Sequence, residues 1–296
     1  MKFTILQLDN AVRGIAERLA MTEELIAKSG QTDFVVLPEL STPGYIPTHE
    51  IWQYKEAGGL LTKAWAVRMA QKYGCYIGCG YLEYADGDYY NAYLIANADG
   101  VCGSVRKGEP EANIFKRGDV SHIIETPLGK IAVSICFDSH RIGLYNSLKA
   151  ENPVLILMPH AWAMSVEKDG SVKRENSIKS DFLGKVYSEA FGVPVVFANA
   201  RGQVEQMAGI TGKLMKDYRL KGQSGVYFPN GTATRFGERE VCHFEADISK
   251  PGALTQEIKF YGGYIDKGSA LFRKVVLPLD IGKGVRDYER EKAAAL

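Results

Sequence analysis

The chain has 296 residues and a formal net charge of +1, with 46% hydrophobic and 24% charged residues. This balance is typical of a soluble globular protein and argues against nucleic acid or an anionic membrane as the main partner. A chain of this length can form one large α/β domain or two smaller ones, and its core needs no disulfides or structural metal.

The first part of the chain predicts strands that alternate with helices, because runs with a strand-like period are separated by runs with a helical period. The predicted elements are a strand at 3–9, a helix at 12–26, a buried strand at 34–37, a helix within 48–73 and several strands within 75–106. The turn sequences at 85–88 and 98–100 divide that last region.

The second part continues in the same way. The predicted elements are a hairpin at 123–126 and 131–135, strands at 154–158 and 195–198, a helix at 175–191 and a hairpin at 224–228 and 232–236. Gly192, with Pro194 just beyond, ends the long helix. Helices mixed with two runs of strands indicate one α/β domain, at 1–275, in which helices cover a sheet core. Residues 276–296 are charged and Ala-rich, which predicts a tail helix rather than a core element.

The N-terminus and the cysteines bear on the cellular compartment. The first ten residues resemble a strand, without the apolar stretch of a signal peptide, and no window reaches the ~20 apolar residues of a membrane span. The five cysteines are odd in number and form no CxxC pair, so no disulfide framework is expected. We therefore expect a cytoplasmic protein with free cysteines.

Three residues with chemical potential directly follow predicted strands. They are Cys136, Glu39 and Lys107. Each has a common structural explanation when it is taken alone: a buried core cysteine, a capping or loop-bonded acid, and a solvated lysine. Lys116 and Arg106 compete with Lys107 for any cationic role. A thiol at the end of a buried strand can also point into a pocket and act as a nucleophile.

The order of the motifs is more specific than any one of them. Pro-Glu follows one strand, Arg-Lys follows another, and Ile-Cys-Phe-Asp follows a hairpin with Pro-Leu-Gly-Lys at its turn. In this order the chain resembles the nitrilase superfamily of carbon–nitrogen hydrolases. The segments at 193–202 and 222–231 resemble further landmarks of that family, so the resemblance extends from residue 2 to about residue 250.

The resemblance implies a four-layer αββα sandwich and a Glu-Lys-Cys triad. Carried over to this chain, Glu39 is the general base, Lys107 stabilises the oxyanion and Cys136 is the nucleophile. A fourth catalytic residue is expected at Glu111, and Glu109 is the alternative. The family needs no cofactor, and the five histidines form no HExxH or other metal-ligand spacing.

The residues after the nucleophile bear on the substrate. Cys-Phe-Asp is nearer the amidase and carbamoylase branches than the Cys-Trp-Glu of true nitrilases. We therefore expect hydrolysis of a small linear amide or N-carbamoyl compound through a thioester, with release of ammonia or an amine. A nitrilase, a catalytically silent binding protein and acyl transfer instead of hydrolysis stay open. The resemblance also implies a homodimer or a higher homo-oligomer.

Further residues are candidates for binding the substrate. They are Tyr45, Phe137, His160, Trp162 and Arg141. Arg141, together with His140, could bind a substrate carboxylate, although a surface ion pair is the slightly favoured explanation for Arg141. A packed aromatic beside a hydrogen-bonded histidine is the alternative for Trp162 and His160. The loop after Cys136 lacks the Pro-Glu of many family members, which leaves the substrate and the assembly open.

Overall fold

A computed structural model describes residues 1–119, 121–207, 212 and 218–294, and two large β-sheets form its centre. The strands of the first sheet are β1 (Lys2–Leu6), β2 (Phe34–Val36), β3 (Glu56–Ala57), β4 (Tyr76–Ala85), β5 (Asp88–Asn97), β6 (Gly100–Arg106) and β16 (Val241–Glu245). They lie in the order β16–β1–β2–β4–β5–β6, with β3 paired to β4. β1, β2 and β4 run parallel, whereas β4, β5 and β6 form an antiparallel meander.

The second large sheet is built from the middle of the chain. Its strands are β7 (Ile123–Thr126), β8 (Gly129–Val133), β9 (Leu155–His160), β11 (Val195–Asn199), β14 (Gly225–Tyr227) and β15 (Ala233–Arg235), in the order β15–β14–β11–β9–β8–β7. A small third sheet joins β10 (Ala163–Ser165), β12 (Arg201–Gly202) and β13 (Tyr218–Lys221), with β13 in its centre.

The helices connect these strands. They are α1 (Ile15–Lys28), α2 (Leu60–Tyr73), α3 (Ile142–Leu148), α4 (Arg174–Phe191) and α5 (Leu277–Ala294). Short 3₁₀ helices lie at His49–Tyr54 and Cys136–His140, and a π-helical turn at Phe272–Val276 leads into α5. Within the described ranges, no helix combines the length and the apolar character that a bilayer span requires.

The alternation of side chains along the strands produces four layers. Phe34 and Val36 of β2 pack in a cluster shared with the second sheet, whereas Val35 between them packs against α1 and α2. The second sheet behaves in the same way, since its outer face packs against α3 and α4. The predicted four-layer αββα sandwich is therefore confirmed.

Most predicted elements lie where the periodicity placed them, with three differences. The region 48–73 is a 3₁₀ helix, a two-residue strand and α2 rather than one helix. The strand before the nucleophile ends at Val133, so that Cys136 begins a 3₁₀ turn. The tail helix is present as α5, and its Tyr288 is 2% exposed in a cluster with residues of the domain. It packs there because burial of an aromatic ring removes a large apolar surface from water.

Candidate active site

The proposed triad residues lie just beyond the ends of strands from both large sheets. Glu39 follows β2, Lys107 follows β6 and Cys136 follows β8. Glu39 and Lys107 are buried at 2% and 1% exposure, and Cys136 is partly buried. Charged side chains are rarely buried so completely unless they are paired, so the position of each partner decides what the group can do.

Lys107 lies between two carboxylates. Its Nζ donates hydrogen bonds to Oε1 of Glu39 at 2.6 Å and to Oε2 of Glu111 at 3.1 Å. Tyr45 donates from its hydroxyl to Oε1 of Glu111 at 2.7 Å. The structure thus places Glu111 beside Lys107. Glu109, the alternative, forms ion pairs with Arg117 and Arg141.

Glu39 is held by backbone and side-chain donors as well as by the lysine. The side-chain amide of Asn91 donates to Oε1 at 2.7 Å, and the backbone N–H of Ala161 donates to Oε2 at 2.9 Å. Gly80 of β4 lets this loop lie close to the sheet, because a Cβ on Gly80 would lie only 2.4 Å from the backbone nitrogen of Leu40. The carboxylate therefore has one fixed orientation.

The two carboxylates on Lys107 have unlike proton affinities. Burial raises the pKa of Glu39, and this effect outweighs the opposing charge of Lys107. Burial also acts on Glu111, but Lys107 and the Tyr45 hydroxyl together lower its pKa. Burial lowers the pKa of Lys107 less than Glu111 and Glu39 raise it, so the lysine stays charged. Glu39 is thus the carboxylate that more readily accepts a proton.

Cys136 has an unusual backbone conformation. Its φ of +48° lies in the left-handed region, which costs a non-glycine residue about 1–2 kcal/mol. Burial raises the pKa of its thiol and the negative charge of Glu39 raises it further, whereas Lys107 lowers it. The N–H of Ala161 also stabilises the thiolate. A cysteine with a strained backbone, close to a base and a cation, is suited to act as a nucleophile.

Asp138 was not among the predicted site residues, although it stands in the Cys-Phe-Asp motif. Its carboxylate accepts hydrogen bonds from the backbone N–H groups of Glu109 at 2.7 Å and Gly108 at 3.3 Å. Asp138 therefore joins the turn of Cys136 to the loop that follows Lys107. Burial raises the pKa of Asp138 to about 7, against the opposing effect of Lys107. An acid two residues after a nucleophile was the available signal, but the sequence could not show which N–H groups it meets.

A cavity of about 320 Å³ opens at Cys136, a size within the range of small-molecule sites. Three of the predicted binding residues line it, namely Tyr45, Phe137 and Trp162. Glu109, Glu111 and Ala161 also line it. The cavity thus brings a substrate-sized space to the proposed nucleophile.

His160 and Arg141 both contact other residues of the protein. His160 is 1% exposed, and its Nδ1 donates to the carbonyl of Met158 at 2.9 Å. Its ring packs 4.2 Å from that of Phe197. Arg141 lies 3.4 Å from Glu109 and stacks 4.1 Å from the ring centre of Tyr264. These contacts fit the structural explanations of both residues, and a role in substrate binding stays a prediction.

The competing cations are engaged elsewhere. Lys116 pairs with Asp88, and Arg106 pairs with Glu83 at 2.6 Å. Across the described part of the chain, no group of three or more His, Cys, Asp or Glu side chains is arranged to hold a metal ion.

Comparison with known proteins supplies the family. The sequence matches the carbon-nitrogen hydrolase family over residues 4–242. The chain belongs to this family. This carbon–nitrogen hydrolase is also 25% identical over 270 residues to the protein named "Probable nitrilase C965.09" of Schizosaccharomyces pombe. That match covers 86% of this chain and 89% of the relative. The predicted membership of the nitrilase superfamily is confirmed.

Solved structures of carbon–nitrogen hydrolases have the same fold. The Helicobacter pylori G27 carbon-nitrogen hydrolase aligns with a TM-score of 0.70 at 20% identity, over 84% of this chain and 89% of that one. Saccharomyces cerevisiae Nit3 aligns with 0.65 at 20% identity, over 83% and 90%. An amidase from Nesterenkonia sp. aligns with 0.63 at 18% identity, over 84% and 92%.

Proposed function

We propose that this carbon–nitrogen hydrolase cleaves small linear amides or N-carbamoyl compounds, with Cys136 as the nucleophile. One observation carries the proposal: the Nζ of Lys107 bridges Glu39 and Glu111 beside the cavity that Cys136 lines. This arrangement supplies a base and a cation that both act on a thiol at the edge of a cavity, as acyl transfer from an amide requires.

The first half of the reaction forms a thioester. Glu39 accepts the thiol proton, and the thiolate of Cys136 attacks the carbonyl carbon. The carbonyl oxygen becomes an oxyanion, which Lys107 and the backbone N–H of Phe137 stabilise; one such donor typically contributes about 10²–10³ in rate. Protonated Glu39 then gives its proton to the amide nitrogen, the C–N bond breaks, and ammonia or an amine leaves. The raised pKa of Glu39 suits both transfers.

The second half of the reaction restores the thiol. Glu39 accepts a proton from water, and the resulting hydroxide attacks the thioester carbon. The C–S bond breaks, the carboxylic acid leaves, and Cys136 recovers its proton from Glu39. Glu111 keeps Lys107 charged and oriented throughout, because its own lowered pKa keeps it ionised. Proton transfers of this kind contribute about 10²–10⁴ in rate.

A nitrile is the second candidate substrate. The relative from S. pombe carries the name of a probable nitrilase, and attack of the same thiolate on a nitrile carbon also leads to a thioester after hydrolysis. The residue after the nucleophile is phenylalanine followed by aspartate, and this motif favours the amide.

The test is ammonia release from a panel of linear amides, ureido acids and nitriles. We expect the wild-type protein to release ammonia from one of these classes and Cys136→Ala to release none. Cys102→Ala is the matched control, because Cys102 is also only partly buried but lies in β6 away from the cavity. It should retain the wild-type rate.

Two outcomes would contradict the proposal. One is ammonia release that persists in Cys136→Ala. The other is no release from any class by a folded protein whose Cys136 is alkylated no faster than Cys102, since that result would favour a catalytically silent binding protein.

A further inference from the structure

The two sides of the cavity come from different parts of the chain. The inner side carries Cys136, Glu111 and Ala161, from the sandwich. The outer side is formed by the C-terminal segment, with Phe272, Leu277 and Ile281. These three outer side chains are apolar. A substrate attached to Cys136 would therefore extend towards an apolar wall.

This wall is anchored rather than loosely apposed. The hydroxyl of Tyr288 donates to Oδ1 of Asp88 at 2.9 Å and accepts from the N–H of Tyr89 at 3.0 Å. Gly284 allows α5 to touch the loop of Glu111, because a Cβ there would lie 3.0 Å from the backbone nitrogen of Asn113. The position of α5 is thus set by contacts with β5 and with the loop that carries Glu111.

The wall also lies outside the part of the chain that the family shares. The family match ends at residue 242, and α5 begins at Leu277. The reacting residues are all within the matched range, whereas the residues opposite them are not. The family match therefore accounts for the reaction centre but not for the outer wall.

The charged side chains of α5 that line the cavity do not select one sign. Asp280 and Asp287 line it together with Lys283 and Arg290. Asp287 and Arg290 pair with each other at 3.0 Å. A substrate whose far end is charged would meet both signs there, whereas an uncharged chain would lie against apolar side chains.

We propose that α5 is the specificity wall of the enzyme and that it selects primary amides with an uncharged aliphatic acyl chain, with Ile281 as the main contact. This inference rests on the proposed function. In a primary amide only the acyl group has carbon atoms to fill the cavity, and it stays bound to Cys136 as the thioester. Each methylene that the wall removes from water should increase kcat/KM about fourfold until the chain reaches α5.

The experiment compares kcat/KM for acetamide, butanamide, hexanamide and octanamide, together with hexanamides that end in a carboxylate or an amine. We expect the wild type to prefer the methyl-terminated chains over acetamide. Ile281→Ala should move the optimum to a longer chain, and Ile281→Trp should move it to a shorter one, when each rate is divided by the rate of the same variant on acetamide. Leu279→Ala is the matched control, since Leu279 lies on the same helix at 62% exposure and outside the cavity lining.

A second measurement keeps this inference separable from the hydrolase proposal. Alkylation of Cys136 by N-alkyl iodoacetamides of increasing chain length needs no turnover. The alkylation rate could depend on chain length, and this dependence could change in Ile281→Ala, although no amide is hydrolysed. That result would support the contact between α5 and the alkyl chain and would contradict the proposed hydrolysis. If hydrolysis depends on Cys136 but all Ile281 variants keep the wild-type chain-length profile, or the charged hexanamides are preferred, the wall proposal is overturned.

Discussion

The inner and outer walls of the cavity differ in how deeply they are buried in the protein. The inner wall is backed by a set of buried charges, in which Glu39 accepts hydrogen bonds from Lys107, Asn91 and the backbone of Ala161. The outer wall is mainly one helix, which is attached through Tyr288 and Lys292 to Asp88 and has its other face in water. A buried charge tolerates little displacement, whereas an apolar wall tolerates substitution. We therefore expect changes in the inner wall to abolish activity and changes in the outer wall to redirect it.

The sharpest test of the inner wall is Lys107→Met. Loss of the ammonium leaves two carboxylates buried without their shared cation, so we expect unfolding free energy to fall by about 3–5 kcal/mol. It also removes one stabiliser of the oxyanion, so kcat/KM should fall by about 10²–10³ or more. Denaturant unfolding and ammonia release measure the two effects separately.

The control for this variant is Lys130→Met. Lys130 pairs with Glu151 at 2.9 Å, but both side chains are more than a third exposed, at 40% and 35%. Water screens such a pair, so stability and activity should both stay close to wild type. Equal losses in the two variants would show that the burial of the Lys107 cluster has no special importance.

The outer wall is tested by Tyr288→Phe. This change removes the hydroxyl that joins Asp88 and the N–H of Tyr89, and it leaves that N–H without its partner. An unsatisfied buried donor costs about 1–3 kcal/mol, so we expect that loss in the unfolding free energy. Because the wall then moves more freely, hydrolysis of hexanamide should fall relative to acetamide.

Val285→Ala provides the comparison on the same helix. Val285 is 49% exposed and outside the cavity lining, so both stability and the ratio of the two rates should be close to wild type. If Tyr288→Phe lowers the rates for both amides by the same factor, α5 acts through the Glu111 loop and does not sort substrates.

The inner wall was more predictable from the sequence than the outer wall. Glu39, Lys107 and Cys136 each stand at the end of an apolar run, and strand ends in one sandwich converge, so their meeting was predictable once the order of motifs was known. The layers were predictable for the same reason, because period-2 and period-3.6 patterns show which faces are buried. Burial periodicity is a local property that a single sequence displays.

Contacts between distant segments were not predictable in this way. Asn91 lies inside β5 with no motif around it, and it reaches Glu39 across the sheet. Ala161 acts through its backbone N–H, which every residue but proline has. Tyr288 meets Asp88 across 200 positions of sequence. A charged terminal helix shows its own amphipathicity, but not the surface on which it packs.

Two buried residues near the reaction centre, His160 and Asp138, allow a further test, because they should change the pH dependence of stability in opposite directions. Burial lowers the pKa of His160 to about 3, so between about pH 3 and 6.5 the unfolded chain binds a proton at this residue that the native protein does not. His160 thus makes stability rise with pH in this window. Burial raises the pKa of Asp138 to about 7, so between pH 3.8 and 7 the native protein binds the extra proton and stability falls with pH.

Removing each group should therefore tilt the stability profile in opposite directions. In His160→Phe we expect the slope of unfolding free energy against pH, measured with denaturant between about pH 4.5 and 6.5, to fall by up to about 1.4 kcal/mol per pH unit. In Asp138→Asn the slope should rise by a similar amount. The two variants serve as controls for each other, because a general loss of packing would lower both profiles without changing their slopes. Parallel profiles in all three proteins would mean that these two groups titrate alike in the folded and unfolded states, and the inner wall would then not be the low-dielectric site on which the proposed proton transfers depend.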